Sequence, residues 1–85
     1  MADKVLITGA NRGIGLEMAR QYAAAGWRVH ACCRQPERAV ALNRLAAASA
    51  GRLSVHPLDV VNAAQVASLP ALLGEEPLAL LITNA

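Results

Sequence analysis

Three glycines, Gly9, Gly13 and Gly15, are the residues of this sequence best placed to do chemistry. They lie in Thr8-Gly9-Ala10-Asn11-Arg12-Gly13-Ile14-Gly15, which follows the short apolar run Val5-Leu6-Ile7 and opens a stretch of helical periodicity. A strand, a glycine-rich turn and a helix in that order present backbone N–H donors and the positive end of a helix to an anion. Glycine lets such a turn reach positive φ and removes the Cβ that would hold a ligand off the backbone. The chemistry implied is recognition of a pyrophosphate. Gly9, Asn11, Arg12, Gly13, Ile14 and Gly15 are its candidate contacts. The loop lacks the Gly-Lys-Ser/Thr ending of a P-loop, which argues against nucleoside triphosphate hydrolysis.

The elements that must position this loop alternate along the chain. Val5-Leu6-Ile7 predicts a buried strand, and Ile14, Met18, Tyr22 and Ala25 recur at helical spacing up to Gly26, a left-handed cap. Arg28 to Cys33 predicts the second strand. Pro36 suits the first turn of a second helix, with Ala39, Leu42, Leu45 and Ala46 as its apolar face and Gly51 after its end. Leu53 to His56 predicts the third strand, and Asn62 N-caps a third helix with Val66 and Leu69 facing inward. Pro70 inside that helical pattern must either break it near Ser68 or kink it. Leu78 to Thr83 predicts a fourth strand. The order β-α-β-α-β-α-β requires a parallel sheet, and continuous apolar strands such as Leu80-Leu81-Ile82 suit a sheet covered on both faces.

The spacing of the loop, Thr8-Gly9-x-x-x-Gly13-Ile14-Gly15, resembles the cofactor motif of the short-chain dehydrogenases/reductases. Leu58-Asp59-Val60 resembles the family's segment after the third strand, and Leu81-Ile82-Thr83-Asn84-Ala85 its Asn-Asn-Ala-Gly segment after the fourth. The resemblance implies a partial Rossmann fold of strand order 3-2-1-4, with residues 1–85 forming the N-terminal, incomplete part of an NAD(P)-binding domain. It also implies that Asp59 and Val60 contact the adenine and that Asn84 and Ala85 join the cofactor site. Thr83 departs from the family's first Asn, and the sequence ends at Ala85 without the motif's Gly. Gly-Leu-Glu after Gly15 and Cys-Arg-x-Pro after the second strand look like the carbonyl-reductase or C-factor-like subgroup.

The end of the second strand selects the dinucleotide. An NAD site needs a carboxylate there, about twenty residues past the loop, for the ribose 2′-OH. This sequence has Cys33 followed by Arg34. A guanidinium matches a 2′-phosphate with two parallel hydrogen bonds, and Arg12 stands ready on the other side. The expected cofactor is NADP(H) in preference to NAD(H), as the family's NADP-dependent members imply.

The family transfers hydride between NADPH and a carbonyl or alcohol with a Tyr-x-x-x-Lys pair, a Ser and an Asn. Here Tyr22 is followed by Gly26 and reads as a packing residue, Lys4 lies ahead of the first strand, and Ser49, Ser54 and Ser68 have no partner pattern. No catalytic residue is assigned, and residues 1–85 are expected to be inactive alone. The alternatives are a stand-alone nucleotide-binding module or a non-functional truncated product. The fourth strand, central in the family's complete sheet, becomes an edge through which the chain can self-associate. The parent is expected to be an oligomer.

Composition narrows the rest. With 55% hydrophobic and 16% charged residues the chain is globular, and its net charge of +2 is spread without a basic stripe, which excludes a nucleic-acid footprint. No apolar run is long enough to span a bilayer, and the N-terminus lacks a signal-peptide pattern. Cys32 and Cys33 point to opposite faces of a strand, cannot bridge, and fit a reducing cytoplasm. His30 and His56 are far apart in sequence and read as isolated structural residues, so no metal set is expected.

Overall fold

A computed structural model describes residues 3–59, 61–74 and 78–84. Val60 and Ala85 therefore lie outside the described residues. Four parallel strands, β1 (Lys4–Ile7), β2 (Arg28–Cys33), β3 (Leu53–Pro57) and β4 (Leu80–Ile82), form one sheet in the order β3-β2-β1-β4. Four helices connect them: α1 (Gly13–Ala24), α2 (Val40–Ala47), α3 (Ala63–Ala67) and α4 (Leu69–Leu73). The α/β class and the 3-2-1-4 order follow the expectation.

Side chains alternate along each strand, so the sheet feeds two cores. On one face Val5, Ile7, Val29, Ala31, Cys33 and Leu53 pack beneath Ala19 and Ala23 of α1 and Leu42 of α2. On the other, Leu6, Cys32 and Leu58 meet Leu69 and Leu78. Cys32 and Cys33 thus enter opposite cores as free thiols, as strand alternation requires. Among the described residues no helix is long and apolar enough to cross a membrane.

Several local expectations change. The buried stripe of α1 is Gly15, Ala19 and Ala23, while Met18 and Tyr22 flank it and Ile14 is 68% exposed. Small residues win the contact line because they let the helix backbone approach the sheet closely. Pro36 opens a separate 3-10 turn, Pro36–Arg38, and α2 begins only at Val40. The expected face of Ala39, Leu42, Leu45 and Ala46 does pack inward. The third helical segment breaks: α3 ends at Ala67, Ser68 turns, and α4 restarts with Pro70 in its first turn, where a missing N–H costs nothing. Asn62 caps α3 as expected, its Oδ1 accepting the Gln65 N–H at 3.1 Å. Val66 does not face inward and is 42% exposed, whereas Leu69, at the start of α4, packs on the second core. Lys4 belongs to β1 and is buried, not ahead of the strand. β4 is shorter than expected, three residues paired to β1 alone.

The two histidines are not isolated. Parallel pairing sets His30 beside Ser54 and Cys32 beside His56, so the imidazoles meet diagonally across β2 and β3. His30 Nδ1 lies 3.0 Å from His56 Nε2, and Ser54 Oγ lies 2.9 Å from that Nε2 and 3.4 Å from His30 Nδ1. Sequence separation hid this contact, which depends on register. The far nitrogen, His30 Nε2, is buried without a hydrogen-bond partner. Burial, His56, Lys4 and Arg28, in that order, lower the His30 pKa to about 4.

Candidate functional site

The carboxyl ends of all four strands open on one side of the sheet, and the glycine loop lies among them. Hydrogen bonds fix this rim. Thr8 N–H donates to Ile82 O at 3.0 Å, Ala10 N–H to Cys32 O at 3.0 Å, and Leu58 N–H to Cys33 O at 2.9 Å. Thr8 Oγ1 accepts the Asn84 N–H at 2.9 Å and donates to Asn84 O at 3.3 Å. Asn84 Nδ2 donates to Gly9 O at 3.1 Å. The ends of β1 and β4 are thereby clasped around the start of the loop.

This clasp explains two of the glycines. A Cβ on Gly9 would stand 2.1 Å from Asn84 O, and one on Gly15 would stand 2.4 Å from Gly9 O and 2.7 Å from Asn84 Nδ2. Both are demanded by protein packing. Gly13 differs: it has φ +57, and a Cβ there would meet nothing within 4 Å. The middle glycine therefore serves the turn and leaves open space at the start of α1.

α1 begins without protection at its positive end. Arg12 is its N-cap residue, in extended conformation, with no side-chain cap, and the first turn holds no acid. Its first carbonyl to be used is Arg12 O, which accepts from Leu16 N–H at 3.3 Å. The amides of Gly13, Ile14 and Gly15 precede that bond, as the first N–H groups of any helix do. They and the helix dipole favour an anion at this point.

A cleft of about 950 Å³ lies over the rim. Of the residues singled out from sequence, Gly9, Asn11, Arg12, Cys33, Arg34, Asp59 and Asn84 line it. Gly13, Ile14 and Gly15 do not line it but form the adjoining first turn of α1. Val60 and Ala85 fall outside the described residues. Sequence reasoning missed Thr8, Gln35, Arg38, Leu58, Val61, Asn62 and Gln65. Thr8 was visible as the residue preceding Gly9, whereas Gln65 reaches the rim through a contact no spacing rule announces. Gln65 Oε1 accepts the Asp59 N–H at 2.5 Å, and Asn62 N–H donates to Asp59 O at 2.8 Å.

The electrostatics of the cleft are one-sided. Three arginines, Arg12, Arg34 and Arg38, line it against one carboxylate, Asp59, whose Oδ1 already accepts the Val61 N–H at 3.1 Å. Burial, above all, raises the pKa of Cys33 and so disfavours its thiolate, and burial pushes Cys32 up to about 12. Tyr22 packs edge-on against Trp27 with ring centroids 4.8 Å apart, as a packing residue should. The described residues contain no group of three His, Cys, Asp or Glu side chains able to hold a metal ion.

Comparison with known proteins agrees with this geometry. The family model described as short chain dehydrogenase matches residues 3–85. A WW domain-containing oxidoreductase of Danio rerio is 39% identical over 90 residues, covering 100% of this chain and 22% of that protein. A sulfoacetaldehyde reductase of Chromohalobacter salexigens is 43% identical over 77 residues, covering 82% of this chain and 29% of that protein. The crystal structure of a carbonyl reductase from Pseudomonas aeruginosa PAO1 in complex with NADP superposes with a TM-score of 0.96 at 34% identity, over 100% of this chain and 37% of that one. A short-chain dehydrogenase/reductase structure from Burkholderia multivorans with bound NADP gives a TM-score of 0.88 at 32% identity, over 100% of this chain and 37% of that one. The chain thus spans 22% and 29% of the two sequence relatives named and 37% of each structure. With its glycine loop, its 3-2-1-4 sheet and a family match over nearly its whole length, this chain belongs to the short-chain dehydrogenase family.

Proposed function

We propose that residues 1–85 are the NADP(H)-binding part of a short-chain oxidoreductase that transfers hydride between NADPH and a carbonyl or alcohol. The observation that carries this reading is the meeting of Arg12 and Arg34 in one cleft beside an uncapped helix N-terminus, with no carboxylate at the end of β2. The first-turn amides of α1, from Gly13 to Gly15, with Asn11 beside them, suit the pyrophosphate. Arg12 and Arg34 suit a 2′-phosphate, which a ribose hydroxyl cannot replace as a partner for two guanidinium groups. Asp59, whose amide is held by Gln65, lines the cleft and suits the adenine, and Val60, next in sequence, is proposed with it. Asn84, clasped to Thr8 and Gly9, suits the cofactor's inner side, and Ala85, next in sequence, is proposed as a further contact. The fit is physical as well as familial, since the open side of Gly13 gives a ligand access to backbone.

The nicotinamide cofactor, when bound, supplies the hydride chemistry. The chain's own contribution is to bind and orient the dinucleotide. Tyr22 is committed to packing and Lys4 lies in β1, so neither is offered as an acid in the reaction. Buried, free Cys32 and Cys33 suit a reducing cytoplasm. The β4 edge, with Leu81 exposed, is a surface through which copies of this chain associate.

The test is a titration with NADPH and NADH, followed by cofactor fluorescence. Arg34→Ala should weaken NADPH binding by about tenfold to a hundredfold, the range for charge-assisted hydrogen bonds, and leave NADH nearly unchanged. Equal losses for both cofactors would overturn the NADP assignment.

A further inference from the structure

The nucleotide cleft lies at the carboxyl ends of the strands, and the opposite end of the sheet carries a second charged feature. There, parallel register aligns cations. Lys4 of β1 stands beside Arg28 of β2, and the Arg28 N–H donates to Asp3 O at 2.7 Å. Val29 stands beside Leu53, and the Val29 N–H donates to Arg52 O at 2.8 Å, so the ladder brings Arg52 beside Arg28. Lys4, Arg28 and Arg52 therefore form one row across the amino ends of β1, β2 and β3. Residues two apart on a strand share a face, so the row lies on the face that carries His30, Ser54 and His56.

Like charges at neighbouring register positions destabilise a sheet. Arg28 and Arg52 are both exposed, and among the described residues neither guanidinium has a hydrogen-bond or ion-pair partner. By contrast Arg20, on α1, is paired with Glu17. Lys4 is buried, so it adds charge to the row and is not needed as a contact. The field of the row reaches the next residue along β2: burial first, then His56, Lys4 and Arg28 lower the pKa of His30. The edge of β3 resists covering by an added strand, since Leu53 N–H already donates to Ser49 Oγ at 3.0 Å and Pro57 has no N–H. What suits the row is a compact anion. Neighbouring strands lie about 4.8 Å apart, a span that two guanidinium forks can close on one tetrahedral oxyanion. Two negative charges set between two cations turn their repulsion into attraction.

We propose that Arg28 and Arg52 form a second anion site, at the amino ends of β2 and β3, that takes a phosphate group, either the free ion or a phosphomonoester. The site shares no residue with the nucleotide cleft and stands whether or not that cleft takes a dinucleotide. Arg28 and Arg52 supply the contacts, and Lys4 supplies charge behind them. Binding cancels the repulsion along the row and weakens its field at His30.

The chain has two histidines, His30 and His56, and both lie on this face, so their imidazole NMR signals report on the site. Inorganic phosphate and glycerol 3-phosphate are titrated separately into the 85-residue chain, with sodium chloride at matched ionic strength as the reference. Saturable shifts are expected with phosphate and not with chloride, and the His30 pKa should rise in the bound state. Tighter binding of inorganic phosphate supports a site for the free ion, and tighter binding of glycerol 3-phosphate supports one for a monoester. Arg28→Gln and Arg52→Gln should each weaken binding about tenfold, and the double variant should abolish it. Arg52→Lys should recover only part of the loss, because an ammonium lacks the guanidinium fork. If chloride moves the signals as far as phosphate does, the row senses ionic strength alone and the site is wrong. If the double variant still binds like the wild type, the assignment to Arg28 and Arg52 is wrong. Loss of the shifts in Arg34→Gln, with the double variant unaffected, would place the anion in the nucleotide cleft and overturn the proposal. Circular dichroism of each variant checks that these exposed substitutions leave the fold in place.

Discussion

The β1–β2 side of the sheet and the β4 side are built to different standards. Around β1 and β2, Val5, Ile7, Val29 and Leu42 are all 0% exposed, and α1 and α2 close over them. Around β4, the strand has three residues, Leu81 is 56% exposed, and the helices leading to it are two pieces of five residues each. The difference separates a closely packed part of the sheet from a sparsely covered one. The glycine loop and the arginine wall stand on the well-packed side. The clasp through Asn84 is where β4 itself reaches in to complete the site, as Asn62 and Gln65 do from the α3 segment.

That clasp gives the largest expected effect. Gly15→Ala places a Cβ 2.4 Å from Gly9 O and 2.7 Å from Asn84 Nδ2, so either the α1 start or the β4 end must move. A loss of about 3 kcal/mol or more is expected, at the upper end of single substitutions, together with loss of nucleotide binding. Gly13→Ala meets no atom within 4 Å and pays only for its positive φ, about 1–2 kcal/mol. Urea denaturation of the two variants measures the gap. Equal stabilities would show that β4 is not clasped to the loop.

The packed and open regions should also differ in their response to side-chain truncation. Leu42→Ala empties a fully buried site in the α2 core and should cost about 2–5 kcal/mol. Leu81→Ala, on a strand edge and more than half exposed, should stay within about 0.5–1 kcal/mol. A Leu81→Ala cost as large as that of Leu42→Ala would mean that the exposed face of β4 is covered in solution, as association through that edge predicts.

Sequence patterns carried the well-packed side and thinned out toward β4. The class, the strand order and the loop were legible because β-rich runs, glycines and helical periods are local signals. The period Ile14, Met18, Tyr22 and Ala25 announced the helix but not its contact line, which is chosen by size and falls to Gly15, Ala19 and Ala23. Val66 likewise marked a helix without marking its buried side, and it stays 42% exposed. At the site, Arg12, Arg34 and Asp59 were legible from motif position. Arg38 and Gln65 were not, because one is delivered by a 3-10 turn and the other by a side chain reaching back six residues to the Asp59 amide. The His30–Ser54–His56 contact was illegible for the plainest reason, that register between β2 and β3 exists only in three dimensions.

That contact yields a pH dependence confined to the β2–β3 region. Each imidazole nitrogen has a single in-plane site for a proton or a lone pair. The three close approaches among His30 Nδ1, His56 Nε2 and Ser54 Oγ cannot all be satisfied hydrogen bonds. Nor has His30 Nε2 any partner with which to stabilise a second ring proton. Burial comes first, then His56, Lys4 and Arg28, and together they hold the His30 pKa near 4 against an ordinary 6.5. Burial lowers that of His56 as well. Between pH 6.5 and about 4 the unfolded chain therefore takes up a proton that the folded chain refuses. The His30 contribution should be fully present above pH 6.5 and be lost as the pH drops through that window. Between pH 7 and pH 5, still above the ordinary carboxylate range, the His30 contribution is about 2 kcal/mol. Urea midpoints at those two pH values measure it. His30→Val removes the proton site and the unpartnered nitrogen, so the His30 part of the slope should vanish. A wild type equally stable at both pH values would mean that His30 reaches water, and that this end of the sheet is as open as β4.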